Sequence, residues 1–197
     1  ATKLAVFRRG KLLFDEGIDH GNLIEKVKEV FGLYPNIGRA MVSSVGEFDS
    51  TELAALSIFC KVQVLNYTTK TPFKNSYATP QTLGVDRIAL ATAAFYHNPN
   101  GNTLAIDAGT CITYDMVNDY GEYLGGAISP GVNMRYRAMH EQTSKLPLLT
   151  KENPLDLIGN STETSMHSGV VNGLSAEIDG VIDQYKSRFA DLTVILT

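Results

Sequence analysis

Three short apolar runs follow one another between residues 103 and 128, at 103–107 (TLAID), 111–117 (CITYDMV) and 123–128 (YLGGAI), with only a few residues between them. Strands joined so tightly pair antiparallel, because a parallel crossover needs a dozen residues or more. A helix-like stretch follows over about 131–142, then a loop rich in Pro and Leu. A long helical pattern over about 161–189 and an apolar strand at 193–196 complete the run. This order, antiparallel strands then helices and a last strand, predicts an α/β fold.

The first half carries a related order. The segment TKLAVFRRGKLLFDEGI reads as two strands about an Arg9-Gly10 turn. Residues 22–31 place Leu23, Val27, Val30 and Phe31 on one helical face. GRAMVSSV reads as a short strand, and Asp49 and Ser50 as caps of a helix to about Cys60 with Leu53, Leu56 and Phe59 inward. VQVLN is another strand, followed by the polar loop YTTKTPFKNSYATP and a helix from Thr79 to about Tyr96 with Pro80 in its first turn. HNPNGN at 97–102 is the strongest breaker cluster. The repeated βββαβα-like order predicts two similar domains, 1–100 and 101–197, with a cleft between them. A chain of 197 residues can bury two small cores.

Bulk chemistry narrows the function. A net charge of −4 argues against a protein that tracks a nucleic-acid backbone. The two cysteines, Cys60 and Cys111, are far apart and set in apolar surroundings, which predicts buried free thiols. The four histidines, His20, His97, His140 and His167, have no metal-ligand spacing and read as surface or helix-face residues. No apolar run nears the ~20 residues of a membrane span, and no signal-peptide pattern opens the chain, so the expected location is cytoplasmic. Walker, dinucleotide, HExxH and protein-kinase motifs are absent, and AISPG at Ser129 lacks the first glycine of a nucleophile elbow.

Four stretches carry candidate chemistry, each with a plainer alternative. In IDAGTCITYDMV, Gly109 admits close approach of a ligand, turn amides and the Thr110 hydroxyl suit anionic oxygens, and Asp107 suits a cation. The same residues also fit a hairpin turn with Asp107 bonded to backbone amides. In TLGVDRIAL, Asp86 sits near a helix N-terminus, where an anion is stabilised and can act as a proton acceptor, and Arg87 offers a planar fork. Taken alone, this stretch favours a first-turn Asp and an Arg reaching to solvent. In LGGAISPGVNMR, Gly125 and Gly126 fit helix–strand packing, while Gly131 opens a helix that an anion could meet. In GNSTETSMHSG, one of Asn160, Ser161 and Thr162 caps a helix and the others are free to hold a polar ligand. Tyr77 is either a loop anchor or a pocket wall.

Taken as an ordered set, NSYATPQTLGVDR, IDAGTCITYDMV, GEYLGGAISPGVNMR, Leu146-Pro147 and GNSTETSMHSG resemble the type III pantothenate kinases of the acetate and sugar kinase/actin-like superfamily. The resemblance implies two ribonuclease H-like domains, a homodimer, and ATP-dependent phosphorylation of pantothenate, the first step of coenzyme A synthesis. It implies Asp86 as proton acceptor for the primary hydroxyl. It implies substrate contacts from Tyr77, Gly84, Val85, Asp86, Arg87 and Thr162, and ATP contacts from Gly109 and Thr110, with Thr2 and Lys3 as the tail of a first phosphate motif. Asp107 would hold a monovalent cation, potassium or ammonium, and Mg2+ would accompany ATP. The family's Asp-x-Gly-Asn-Thr should precede Ala1 and its Gly-Gly-Asp should follow Thr197, so both ends read as cut, and a molecule ending there is expected not to turn over ATP. Two other readings stay open: a non-catalytic transcription-accessory protein on the same fold, and a kinase for another small substrate.

Overall fold

The computed structural model describes residues 2–18, 22–44 and 50–197. The expectations for His20 and for Asp49 as a cap lie outside these residues. Two compact units emerge, residues 1–69 and 70–197.

In the first unit, β1 (Thr2–Arg8) and β2 (Lys11–Ile18) form an antiparallel hairpin. Its turn has Arg9 at φ 51° and Gly10 at φ 78°, the left-handed pair that matches strand twist in a two-residue hairpin. α1 (Leu23–Leu33) buries Leu23, Val27 and Val30, as its apolar spacing predicts. β3 (Arg39–Val42) pairs in parallel with β4 (Lys61–Val64), and α2 (Ser50–Phe59) connects them. Ile18, Leu23 and Val27 form a core with Leu4, Phe31 and Leu56. Phe59, expected inward, is exposed at the end of α2, with its ring stacked on that of Phe31 at 4.9 Å. Cys60 and Cys111 are free, but half-buried rather than buried, since each stands next to the end of an element.

The second unit is built on one five-stranded sheet in the order β5-β8-β7-β6-β9. β6 (Thr103–Ala108), β7 (Cys111–Val117) and β8 (Glu122–Pro130) form the antiparallel meander, and β9 (Thr193–Leu196) adds in parallel beside β6. The short β5 (Lys74–Asn75) joins the far edge, within a loop the sequence gives no strand signal for. Side chains alternate across the meander. Leu104, Ile106, Ile112, Tyr114 and Met116 face the long helix, packing on Leu174, Ile178 and Ile182. That helix runs as α5 (Thr162–His167), one π-type segment (Ser168–Asn172) and α6 (Gly173–Arg188). The other face meets α3 (Val85–His97). α4 (Val132–Glu141) follows the meander directly.

The compact units divide at 69/70. β5 pairs with β8 and α3 packs on β6 and β7, so the chain from Lys70 onward belongs with the second sheet. The helix expected from Thr79 is also interrupted. A single turn (Pro80–Thr82) is followed by extended Leu83 and Gly84, and α3 proper begins at Val85.

Candidate functional site

β6 is almost fully buried from Thr103 to Ile106, while Ala108, Gly109 and Thr110 emerge exposed at its end. This turn is fixed from behind. The Gly131 amide, at the start of α4, donates to the Thr110 carbonyl at 3.1 Å. A β-carbon on Gly131 would lie 2.4 Å from the carbonyl oxygens of both Gly109 and Thr110. α4 therefore brings its N-terminus, with its positive end, onto the turn. Arg135 locks the arrangement: its Nε donates to the Pro130 carbonyl at 2.8 Å, and its Nη2 to Ser129 Oγ and to Glu177. Tyr114 donates to the other Glu177 oxygen at 3.3 Å. Burial alone would push the Glu177 carboxyl up, but the bonds from Ser129 and Arg135 outweigh it and hold the carboxyl below its ordinary value.

Gly109 itself has neither a left-handed φ nor a crowded neighbourhood. A β-carbon there would meet nothing closer than Asp107 Oδ1 at 3.5 Å. Neither the turn nor the packing requires glycine, which leaves approach from outside as the reason for it. The Gly109 and Thr110 amides make no backbone hydrogen bond among the described residues. Asp107 is half-buried, and accepts a 3.5 Å contact from the Thr197 hydroxyl. It has no ion pair among the described residues, and a carboxylate free of cationic side chains beside an open turn fits a cation. No group of three or more His, Cys, Asp or Glu side chains suited to a metal occurs among those residues.

Asp86 stands exposed in the first turn of α3. Its Oδ1 accepts the Arg87 amide at 2.9 Å, and a β-carbon on Gly84 would lie 2.4 Å from that oxygen. Gly84 thus allows the carboxylate to fold back over the helix start. Half-buried Val85 is the first helical residue. Arg87 does not reach to solvent: it is 5% exposed, and its Nε donates to Asp115 Oδ1 at 2.8 Å. The Tyr123 hydroxyl donates to the same oxygen at 2.7 Å. The guanidinium also lies 5.7 Å from the Tyr77 ring, which packs on Tyr123 at 6.1 Å. Tyr77 fits because Gly125, at φ +93°, carries no β-carbon, which would meet the ring at 2.9 Å. Burial pushes the Asp115 carboxyl up, against the pull of Tyr123 and Arg87. Burial opposes the Arg87 charge, yet Asp115 and Tyr123 win, and its pKa rises.

The remaining residues are placed elsewhere. Ser161 caps α5 through a reciprocal box with Thr164, so the capping reading holds for it. Thr162 and Asn160 line a groove of about 780 Å³ together with Met139, Leu146, Ser165 and Met166, and none of Tyr77, Asp86 or Arg87 lines it. Thr2 and Lys3 belong to β1 of the first unit. Gly126 proves to be structural, since a β-carbon there would lie 1.7 Å from the Tyr114 carbonyl. His167, buried, meets the Tyr136 hydroxyl through Nδ1 at 2.7 Å. Asp115 and Tyr123 are the residues that sequence reasoning missed. The available signal was a lone carboxylate in the middle of an apolar strand, a position that is costly unless paired.

On a mixed α/β architecture, an open turn at a strand end and a carboxylate at a helix start suit phosphoryl transfer. Comparison with known proteins gives the family: its profile, described as type III pantothenate kinase, matches residues 2–184, and the chain belongs to that family. Relatives bearing that name include proteins from Flavobacterium johnsoniae, 43% identical over 99% of this chain and 80% of the relative, and Christiangramia forsetii, 45% identical over the same shares. One from Bacteroides fragilis is 38% identical over 100% of this chain and 80% of its own. A solved structure from Campylobacter jejuni, described as a Baf family transcriptional activator, superposes with a TM-score of 0.51 at 23% identity, covering 86% of this chain and 80% of that one. That likeness speaks to the fold alone.

Proposed function

We propose that this protein phosphorylates pantothenate at the expense of ATP, giving 4'-phosphopantothenate and ADP, the first step of coenzyme A synthesis. The observation that carries the reading is Asp86, an exposed carboxylate held at the start of α3 by the Arg87 amide, in a chain of this family. Asp86 takes the proton of the primary hydroxyl as its oxygen attacks the γ-phosphorus and the bond to the bridging oxygen breaks. Tyr77, Gly84, Val85 and Arg87 position the substrate, so that much of the catalysis is orientation. The Gly109 and Thr110 turn receives ATP phosphates. Asp107 holds a monovalent cation, potassium or ammonium, which together with Mg2+ supplies positive charge beside the phosphates.

The finer architecture belongs to the same proposal: two ribonuclease H-like domains, supported in the second unit by the order β8-β7-β6-β9 with β9 parallel to β6. A homodimer accounts for Thr162 lining a groove apart from Asp86, with the second copy bringing it to the substrate. A cytoplasmic location belongs to the same proposal. Among the described residues, no helix is long and apolar enough to cross a membrane. The test is phosphopantothenate formation by the full-length protein with and without potassium. Potassium-dependent product supports the reading. Absence of product, with turnover of another small hydroxyl or carboxylate substrate, moves the protein to a different kinase specificity.

A further inference from the structure

The Arg87–Asp115 pair is buried at both ends, with Arg87 5% and Asp115 0% exposed. An arginine and a carboxylate that serve only each other pair through two parallel hydrogen bonds. Here only Nε and Oδ1 meet, at 2.8 Å, and Oδ1 is shared with the Tyr123 hydroxyl at 2.7 Å. The other half of each group is left over: Arg87 Nη2 and Asp115 Oδ2 are buried and have no hydrogen-bond partner among the described residues. Unmade bonds on buried polar atoms are costly, and two in one pair are not what selection for stability alone produces. The surroundings make this geometry rigid. Tyr123 is 0% exposed and fixes the carboxylate, and Tyr77 lies across the guanidinium where Gly125 makes room for its ring.

Resting on the reading of Arg87 as a substrate contact, we propose that Asp115 is a positioning residue for pantothenate. With Tyr123 it grips Arg87 by Nε and so fixes the guanidinium against the ring of Tyr77, the neighbouring side chain assigned to the substrate. Asp115 itself is fully buried and acts through Arg87 alone. Its effect therefore falls on pantothenate binding and not on ATP binding or proton removal, which belong to the Gly109–Thr110 turn and to Asp86.

The test is steady-state kinetics of the full-length enzyme with both substrates varied, for Asp115→Asn, Tyr123→Phe and each combined with Arg87→Ala. The KM for pantothenate is expected to rise about tenfold in Asp115→Asn and about threefold in Tyr123→Phe, the scale of a weakened charge-assisted hydrogen bond. The kcat and the KM for ATP stay within about twofold, the scatter of changes that touch no transition-state contact. In the Arg87→Ala background neither substitution adds anything, a coupling that loss of fold would not produce. Should Asp115→Asn fail to fold, Tyr123→Phe, which keeps the ion pair, carries the test. An unchanged pantothenate KM in a wild type that makes phosphopantothenate overturns the role of Asp115 alone. So does a parallel loss in kcat and both KM values. A wild type that makes no phosphopantothenate overturns the functional reading, and this inference with it.

Discussion

The Gly131 amide donates to the Thr110 carbonyl at 3.1 Å, which makes the start of α4 and the β6–β7 turn a single piece of backbone. No side chain fits between them: a β-carbon on Gly131 would lie 2.4 Å from two carbonyl oxygens. The cradle assigned to ATP is thus held from behind by a helix N-terminus, and α4 is held in turn by Arg135 and Glu177.

Gly131→Ala must therefore push the turn away from α4. Overpacking of this kind costs about 1–3 kcal/mol, and for a chain of this length each kcal/mol lowers Tm by about 2–4 °C. Calorimetry of the variant should show a Tm several degrees lower, and kinetics a raised KM for ATP with the KM for pantothenate near wild type.

Gly109→Ala separates ligand approach from fold. Its β-carbon would meet only ordinary contacts, and its φ is not left-handed. Stability should stay unchanged or gain a few tenths of a kcal/mol from the stiffer unfolded chain. The KM for ATP should nonetheless rise about tenfold, as expected where a methyl group obstructs a phosphate contact worth ~1.4 kcal/mol. Unchanged ATP kinetics would return this turn to a plain hairpin.

Glu177 sets an acid limit on the support of α4. Its folded pKa lies below the unfolded one, so the unfolded chain takes up the proton first as the pH falls. The stability it contributes is complete above the ordinary glutamate pKa of about 4.3 and is lost as the pH drops through the lower folded value. Urea midpoints measured from pH 7 down to pH 3 should fall less steeply in Glu177→Gln than in wild type, with the variant less stable at pH 7.

Where burial pattern and turn chemistry agreed, the sequence was easily read. Strands 111–117 and 193–196 appear residue for residue, and the Arg9-Gly10 hairpin follows from its two left-handed positions. The features that escaped depend on partners distant in the chain. At 86–87 the sequence favours a first-turn Asp and an Arg reaching to solvent, and only the packing of α3 on β7 shows Arg87 buried against Asp115, 28 residues away. The polar loop before α3 gives no strand signal, yet β5 ties it to β8, within the compact unit 70–197. The helix expected from Thr79 closes after one turn, because Leu83 and Gly84 are extended, and it restarts at Val85. The glycine pair at 125–126 reads as helix–strand packing, whereas Gly125 makes room for the Tyr77 ring and Gly126 for the Tyr114 carbonyl of the neighbouring strand.

The most direct test of the account is the rate of 4'-phosphopantothenate formation by Asp86→Asn, with pantothenate binding measured by calorimetry on the same preparation. Loss of a proton acceptor should lower kcat by about 10²–10⁴-fold. Pantothenate affinity should change by no more than a few-fold, since the substituted side-chain amide keeps an oxygen where Asp86 Oδ1 now accepts the Arg87 N–H. Turnover at the wild-type rate would contradict the account and remove Asp86 as the base.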